Sequence, residues 1–297
     1  MTAIDTTQPP PTTPSPTSAG PVGLIRRHPL LSFMVLANLL SWIAWTPYVL
    51  SQSGLGILPI QMGQLTGVLP GAYLGPVFSA FLVTLITDGR EGVRRWVGRL
   101  LRWRVPGRWY VIALLGIPAG MLATGLAFSG GDIHAPSLMA LAMYVPLLLI
   151  QFVTTGLAEE PGWRDFALPR LQSRFTPLVA SMILGPIWAL WHFPLFLTEW
   201  GGYPDANWTR PVTFVIFCLG FNFVMTWIFN RTGESLPLAI LAHVSVNTFA
   251  SLLWAEMFPS IDENMWMPAM AAAAVVAGGA VLLLTRGRLG YPAPAQQ

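Results

Sequence analysis

The stretch LMALAMYVPLLLIQFVTTGLAEEPGWR, residues 138–164, runs apolar for about twenty residues and then meets two carboxylates and an arginine. A run of that length crosses a hydrocarbon core as an α-helix. A β-barrel would instead show alternating segments of about ten residues. Seven further runs of similar length follow the same pattern: Leu30 to Leu50, Leu69 to Thr87, Trp109 to Phe128, Pro177 to Leu197, Val212 to Phe229, Leu236 to Trp254 and Met267 to Thr285. The chain is 54% hydrophobic and 10% charged, where soluble domains carry about 25% charged residues. The expected fold is therefore all-α: a polytopic membrane protein with about eight transmembrane helices.

Composition divides the chain into three parts. Residues 1–22 are rich in Pro, Thr and Ser and read as a disordered tail. Residues 23–289 read as the eight-helix membrane domain, and 290–297 as a short C-terminal tail. The N-terminal tail lacks the basic and apolar segments of a cleavable signal peptide. Arg26 and Arg27 read as the flank of the first span. All 16 basic residues are arginine. With the N-terminus inside, 15 of them fall on the inner side and only Arg210 on the outer. This asymmetry predicts that both termini are cytoplasmic.

The arginines sit beside spans, so the net charge of +3 implies a lipid bilayer and no nucleic acid. The segment from Asp88 to Arg108 adds Trp96 and Trp103 to its arginines and reads as an interfacial helix. The lone cysteine, Cys218, allows no intrachain disulfide and reads as a small apolar packing residue. An all-arginine chain rich in Pro, Gly and Trp suggests a bacterial plasma membrane.

Ionisable groups within or beside spans are costly and so mark function. Glu159 and Glu160 end the fourth span. Two adjacent carboxylates near a low-dielectric region call for a proton or a cationic partner. Arg164 lies four residues beyond Glu160, on the same helical face, and reads as that partner. Glu159 is then the freer carboxylate and a candidate general base. Pro161 and Gly162 predict a break in the helix, which membrane proteins tolerate where backbone lines a cavity.

His192 lies in the fifth span, with Trp188 one turn before it. His243 and Asn247 share a face of the seventh. Taken singly, the carboxylates could be a polar helix end and the other residues helix-to-helix glue, as Asn38 and Asn222 read. Taken together, they supply a base, a water-holding imidazole and oxyanion donors, the requirements of amide hydrolysis. The expected cavity opens toward the cytoplasm. One tension is depth: from its inner end His192 lies about 22 Å along its helix, and His243 only about 10 Å along its own.

The three motifs, E-E-x-x-x-R, an aromatic four residues before a histidine, and H-x-x-x-N, resemble those of the CPBP family. This is the group of CAAX prenyl proteases of the Ras-converting type, their bacterial relatives and the bacteriocin-processing proteins. The resemblance covers about 138–254, with Trp188 where phenylalanine is common. It implies an intramembrane glutamic endopeptidase. Glu159 and His192 would activate water, and His243 and Asn247 would stabilise the oxyanion. Glu160, Arg164 and Trp188 would support them.

The implied partner is a membrane-associated peptide or protein, and no cofactor is implied. An alternative is zinc held by Glu159, His192 and His243, since three such ligands match a catalytic zinc site. Other readings are a non-catalytic membrane binding or bacteriocin-immunity protein on the same fold, or a transporter. For a transporter, a second broken helix in a related half is missing.

Overall fold

The computed structural model describes residues 20–205 and 207–292. The tail expected at 1–22 lies almost wholly outside the described residues, as does most of that expected at 290–297. A short helix, Pro21–Arg27, precedes the first span, so helical structure begins just before the boundary read from composition.

Every regular element among the described residues is helical. Eight helices are long and apolar enough to cross a membrane: α1 Pro29–Leu50, α2 Gln64–Leu100, α3 Arg108–Phe128, α4 Leu138–Gln172, α5 Pro177–Leu197, α6 Thr209–Arg231, α7 Leu236–Met257 and α8 Glu263–Thr285. The chain is an all-α polytopic integral membrane protein.

α7 sits inside the bundle and is apolar around most of its circumference, apart from the face that carries His243 and Asn247. Its apolar window is 78% buried, the largest share of the eight, and it packs against α2, α3, α4 and α6. α6 in turn packs along α5 and α8. α4 has two halves of different character. Most residues before Phe152 face outward, whereas each of residues 158–168 is buried. The polar end of the quoted stretch is thus carried into the protein interior, away from lipid.

Pro161 does not break α4. Glu160 (φ −63°, ψ −32°) and Pro161 (φ −59°, ψ −30°) both keep helical angles. A proline ring collides with the carbonyl one turn earlier and offers no N–H. The helix accommodates it by widening to π-helical hydrogen bonding over Pro161–Ala167. A second wide turn, Phe152–Gly156, lies just upstream. Glu159 and Glu160 therefore sit on a short α-helical segment, Leu157–Glu160, held between two π turns.

Gly162 is needed here for proximity, not for looseness. A Cβ at this position would fall 2.6 Å from the Pro76 side chain and 2.7 Å from its carbonyl oxygen. That contact seats the wide turn of α4 directly on α2.

α2 extends well beyond its apolar run. It bends at Gly89, whose φ of 65° and ψ of −160° suit glycine alone. The helical piece beyond the bend, read from sequence as interfacial, also clamps α4. Trp96 Nε1 donates to the Pro161 carbonyl at 3.0 Å. Arg99 pairs with the fully buried Asp165, and its Nε donates to Glu234 at 2.8 Å. A buried carboxylate demands such a cation.

Candidate functional site

Glu160 is completely buried and contacted from two directions. Its Oε2 accepts from Arg164 Nε at 3.1 Å. Its Oε1 accepts from His243 Nδ1 at 2.8 Å. The Arg164 guanidinium, also fully buried, donates through Nη1 to Asn222 Oδ1. Asn222 Nδ2 then donates to the Ser181 carbonyl at 2.7 Å. One continuous network thus joins α5, α6, α4 and α7.

Arg164 is an interior residue, so it carries no weight in the loop arginine asymmetry. The sequence reading paired Glu160 with Arg164 but missed His243 and Asn222 as the other members. Contacts 83 and 58 residues apart leave no local spacing signal. Asn38, read as glue between helices, instead donates to the Met34 carbonyl of its own helix at 2.8 Å.

Glu159 is 4% exposed. Its Oε2 accepts from Trp188 Nε1 at 2.8 Å. The same indole borders both histidines, with ring centroids 6.0 Å from His192 and 5.3 Å from His243. Despite the different distances estimated along their helices, both imidazoles border this one tryptophan.

His192 caps the regular part of α5, which continues as a 3₁₀ segment from Phe193 to Leu197. Its Nδ1 lies 2.9 Å from the Trp188 carbonyl. A carbonyl only accepts, so Nδ1 carries the hydrogen and Nε2 remains for other work. The ring is fixed by Trp200, stacked at 5.5 Å, and by Phe214 and Trp191 edge-on at 5.0 and 4.5 Å. His243 is constrained in the same sense. Its Nδ1 is committed to Glu160, leaving Nε2 free to act.

Glu159, Trp188, His192, His243 and Asn247 line one cavity of about 580 Å³. Glu160, Arg164 and Asn222 lie behind it. The cavity extends past Phe214 to Gln64, Arg210 and Trp266, which stand at the starts of α2, α6 and α8. These are the arginine-poor helix ends, opposite to the arginine-rich end toward which the sequence reading opened it. The arginine-rich side is closed by the wide turn Pro161–Ala167, seated on Pro76 and strapped by Trp96 and Arg99. Among the described residues no group of three or more His, Cys, Asp or Glu side chains converges as a metal-ion set.

Residues 140–249 match the family described as Type II CAAX prenyl endopeptidase Rce1-like. That range holds all three motifs and the whole buried network. The chain is also similar to CAAX prenyl protease 2 of Methanococcus maripaludis, with 30% identity over 167 residues. Over these residues the chain is similar to the CPBP-type endopeptidases that its motifs resemble. The alignment covers 55% of this chain and 59% of that relative, so the chain spans about three fifths of the curated relative's length. The matched part holds the site and its buried network, while α1, α2, α3 and α8 lie outside the family match.

The buried pair sets a stability prediction. Arg164→Ala strands Glu160 without a counter-charge and should cost about 3–5 kcal/mol. Arg164→Lys should rescue it poorly, because an ammonium cannot hold Glu160 and Asn222 with a planar fork. Thermal melts in detergent would read both. An Arg164→Ala protein as stable as the parent would show the pair to be incidental.

Proposed function

We propose that the chain is an intramembrane endopeptidase that hydrolyses a peptide bond of a membrane-associated peptide or protein. The observation that carries this reading is the convergence of Glu159, Trp188, His192, His243 and Asn247 on one cavity. Buried groups of this kind are costly unless they are used. The family match over the same residues supports it.

A water molecule fits the chemistry of two acceptors. Glu159 accepts one of its hydrogens, and the unprotonated Nε2 of His192 accepts the other. Trp188 holds Glu159 in place and leaves its second oxygen for the water. As the water oxygen attacks the peptide carbonyl carbon, its proton passes to Glu159 and negative charge develops on the carbonyl oxygen. Asn247 donates a hydrogen bond to that oxygen. His243 Nε2 donates as well when the ring carries both protons, a cation that the Glu160 carboxylate at Nδ1 balances. The C–N bond then breaks, and Glu159 returns the proton to the leaving nitrogen. The enzyme ends as it began, with no covalent intermediate. Cys218 is buried among apolar residues of α6 and takes no part.

The arginine asymmetry supports an orientation with both termini cytoplasmic. On that orientation the cavity extends toward the outer ends of α2, α6 and α8. A topology reporter fused after Asp205 should then read external, while one fused after Arg108 reads cytoplasmic. The same side for both would end the orientation.

The chemistry is tested by peptide cleavage with purified protein in lipid. Glu159→Gln keeps the shape and the acceptor for Trp188 but loses the base, so turnover should fall to background with an unchanged melt. Asn247→Ala should slow turnover by about 10² to 10³. Full cleavage by Glu159→Gln would refute the mechanism, whereas absence of cleavage by the parent would favour a non-catalytic role on this fold. Inhibition by a chelator, reversed by added zinc, would establish the metal-dependent form.

A further inference from the structure

A second, more open cavity, of about 850 Å³, lies at the opposite end of the molecule from Arg210. It is formed by the start of α3, the end of α6 and the residues that follow α8. Three guanidinium groups line it: Arg108, Arg231 and Arg288. Each comes from a different element, so helical periodicity does not explain the cluster.

None of the three has a carboxylate partner among the described residues. The arginines that do form ion pairs are Arg94, Arg95, Arg99, Arg102, Arg164, Arg170 and Arg210. Three like charges gathered on one concave surface repel each other, and an anion relieves that repulsion. Arginine presents the forked donors that suit a phosphate group.

The floor of the cavity is rigid. Arg108 lies over the Trp109 ring, 5.9 Å from its centroid. Trp109 packs edge-on against Trp227 at 4.8 Å. Asn230 Nδ2 holds the chain after α8 in place through the Leu289 carbonyl at 2.9 Å. The remaining lining adds the polar side chains of Thr285 and Tyr291. All of these residues stand at the arginine-rich ends of membrane-crossing helices, the level at which head groups meet the protein. Basic pockets between spans at that level recognise anionic head groups.

We propose that this cavity is a phosphate-binding site, filled by the head group of an anionic phospholipid. It lies apart from the peptidase cavity, and the proposal stands whether or not the peptidase reading does.

The test uses the full chain, purified in phosphatidylcholine nanodiscs, with native mass spectrometry to count retained phosphatidylglycerol. The parent should retain the lipid. The variant Arg108→Gln/Arg231→Gln/Arg288→Gln should bind it about 10²-fold more weakly, from the sum of three surface arginines. Arg94→Gln/Arg95→Gln, on exposed positions at the same end but outside the cavity, should bind like the parent. If the triple variant does not fold, single Arg288→Gln should show about a fivefold loss.

Inorganic phosphate is then added as competitor. Displacement at millimolar concentration identifies phosphate itself as sufficient, and resistance identifies the chain-bearing lipid as the ligand. Both support the site if the triple variant loses binding. Equal retention by the cavity variant, or equal loss in the Arg94→Gln/Arg95→Gln control, would overturn it.

Discussion

The constraint on which the site depends is a carboxylate that has no contact with water. Glu160 is fully buried in a protein that itself sits in hydrocarbon. Such a charge is tolerable only when compensated from more than one side. Arg164 supplies the charge, and His243 supplies a second hydrogen bond. Arg164 is equally buried and needs acceptors of its own: Asn222, held by the Ser181 carbonyl, serves Nη1, while Nη2 finds none among the described residues. The need to satisfy one group thus fixes four helices relative to each other, and it fixes the ring of His243 with one nitrogen committed and one available. The neighbouring Glu159 is the beneficiary. Relieved of a structural role, it keeps a single firm donor, Trp188, and faces the cavity.

The backbone solution is matched to this demand. A regular α-helix would direct adjacent residues about 100° apart and carry the following turn without accommodation for Pro161. Two π turns flank the short segment Leu157–Glu160. The downstream one absorbs the proline without interrupting the helix, and it bulges far enough for Gly162 to touch Pro76. That contact, with Trp96 and Arg99, closes the arginine-rich side. The reactive groups are then reached from the other direction, along a corridor lined by Phe214 and ending near Arg210.

The parts of this arrangement that follow from local pattern are legible in the sequence. Apolar runs of spanning length identify eight helices, and α1, α3 and α5 match the runs read from sequence to within a residue at each end. The i, i+4 spacing of Glu160 and Arg164 reveals their pair. Trp188 and His192, one turn apart, do point into the same cavity. What the sequence hides is what depends on crossing geometry. The distance of His243 from Glu160 cannot be counted along any helix, and rise alone placed the two histidines at conflicting depths. Proline signalled a break where the backbone instead widened, because propensity rules omit the π register that tertiary packing can stabilise. The extension of α2 beyond Gly89 has an amphipathic pattern that reads as interfacial, and nothing local in it announces the contact of Arg99 with Asp165.

The central claim is that Glu160 acts through His243, so that the two form one unit. A double-mutant cycle on kcat/KM measures this directly, with Glu160→Gln, His243→Ala and the combined variant in the same lipid, each checked for an intact melt. The account predicts strong non-additivity: with His243 already removed, loss of the Glu160 charge should change the rate little, giving a coupling of about 1–3 kcal/mol. Losses that simply multiply would contradict it, for they would mean that the carboxylate and the imidazole serve the site independently.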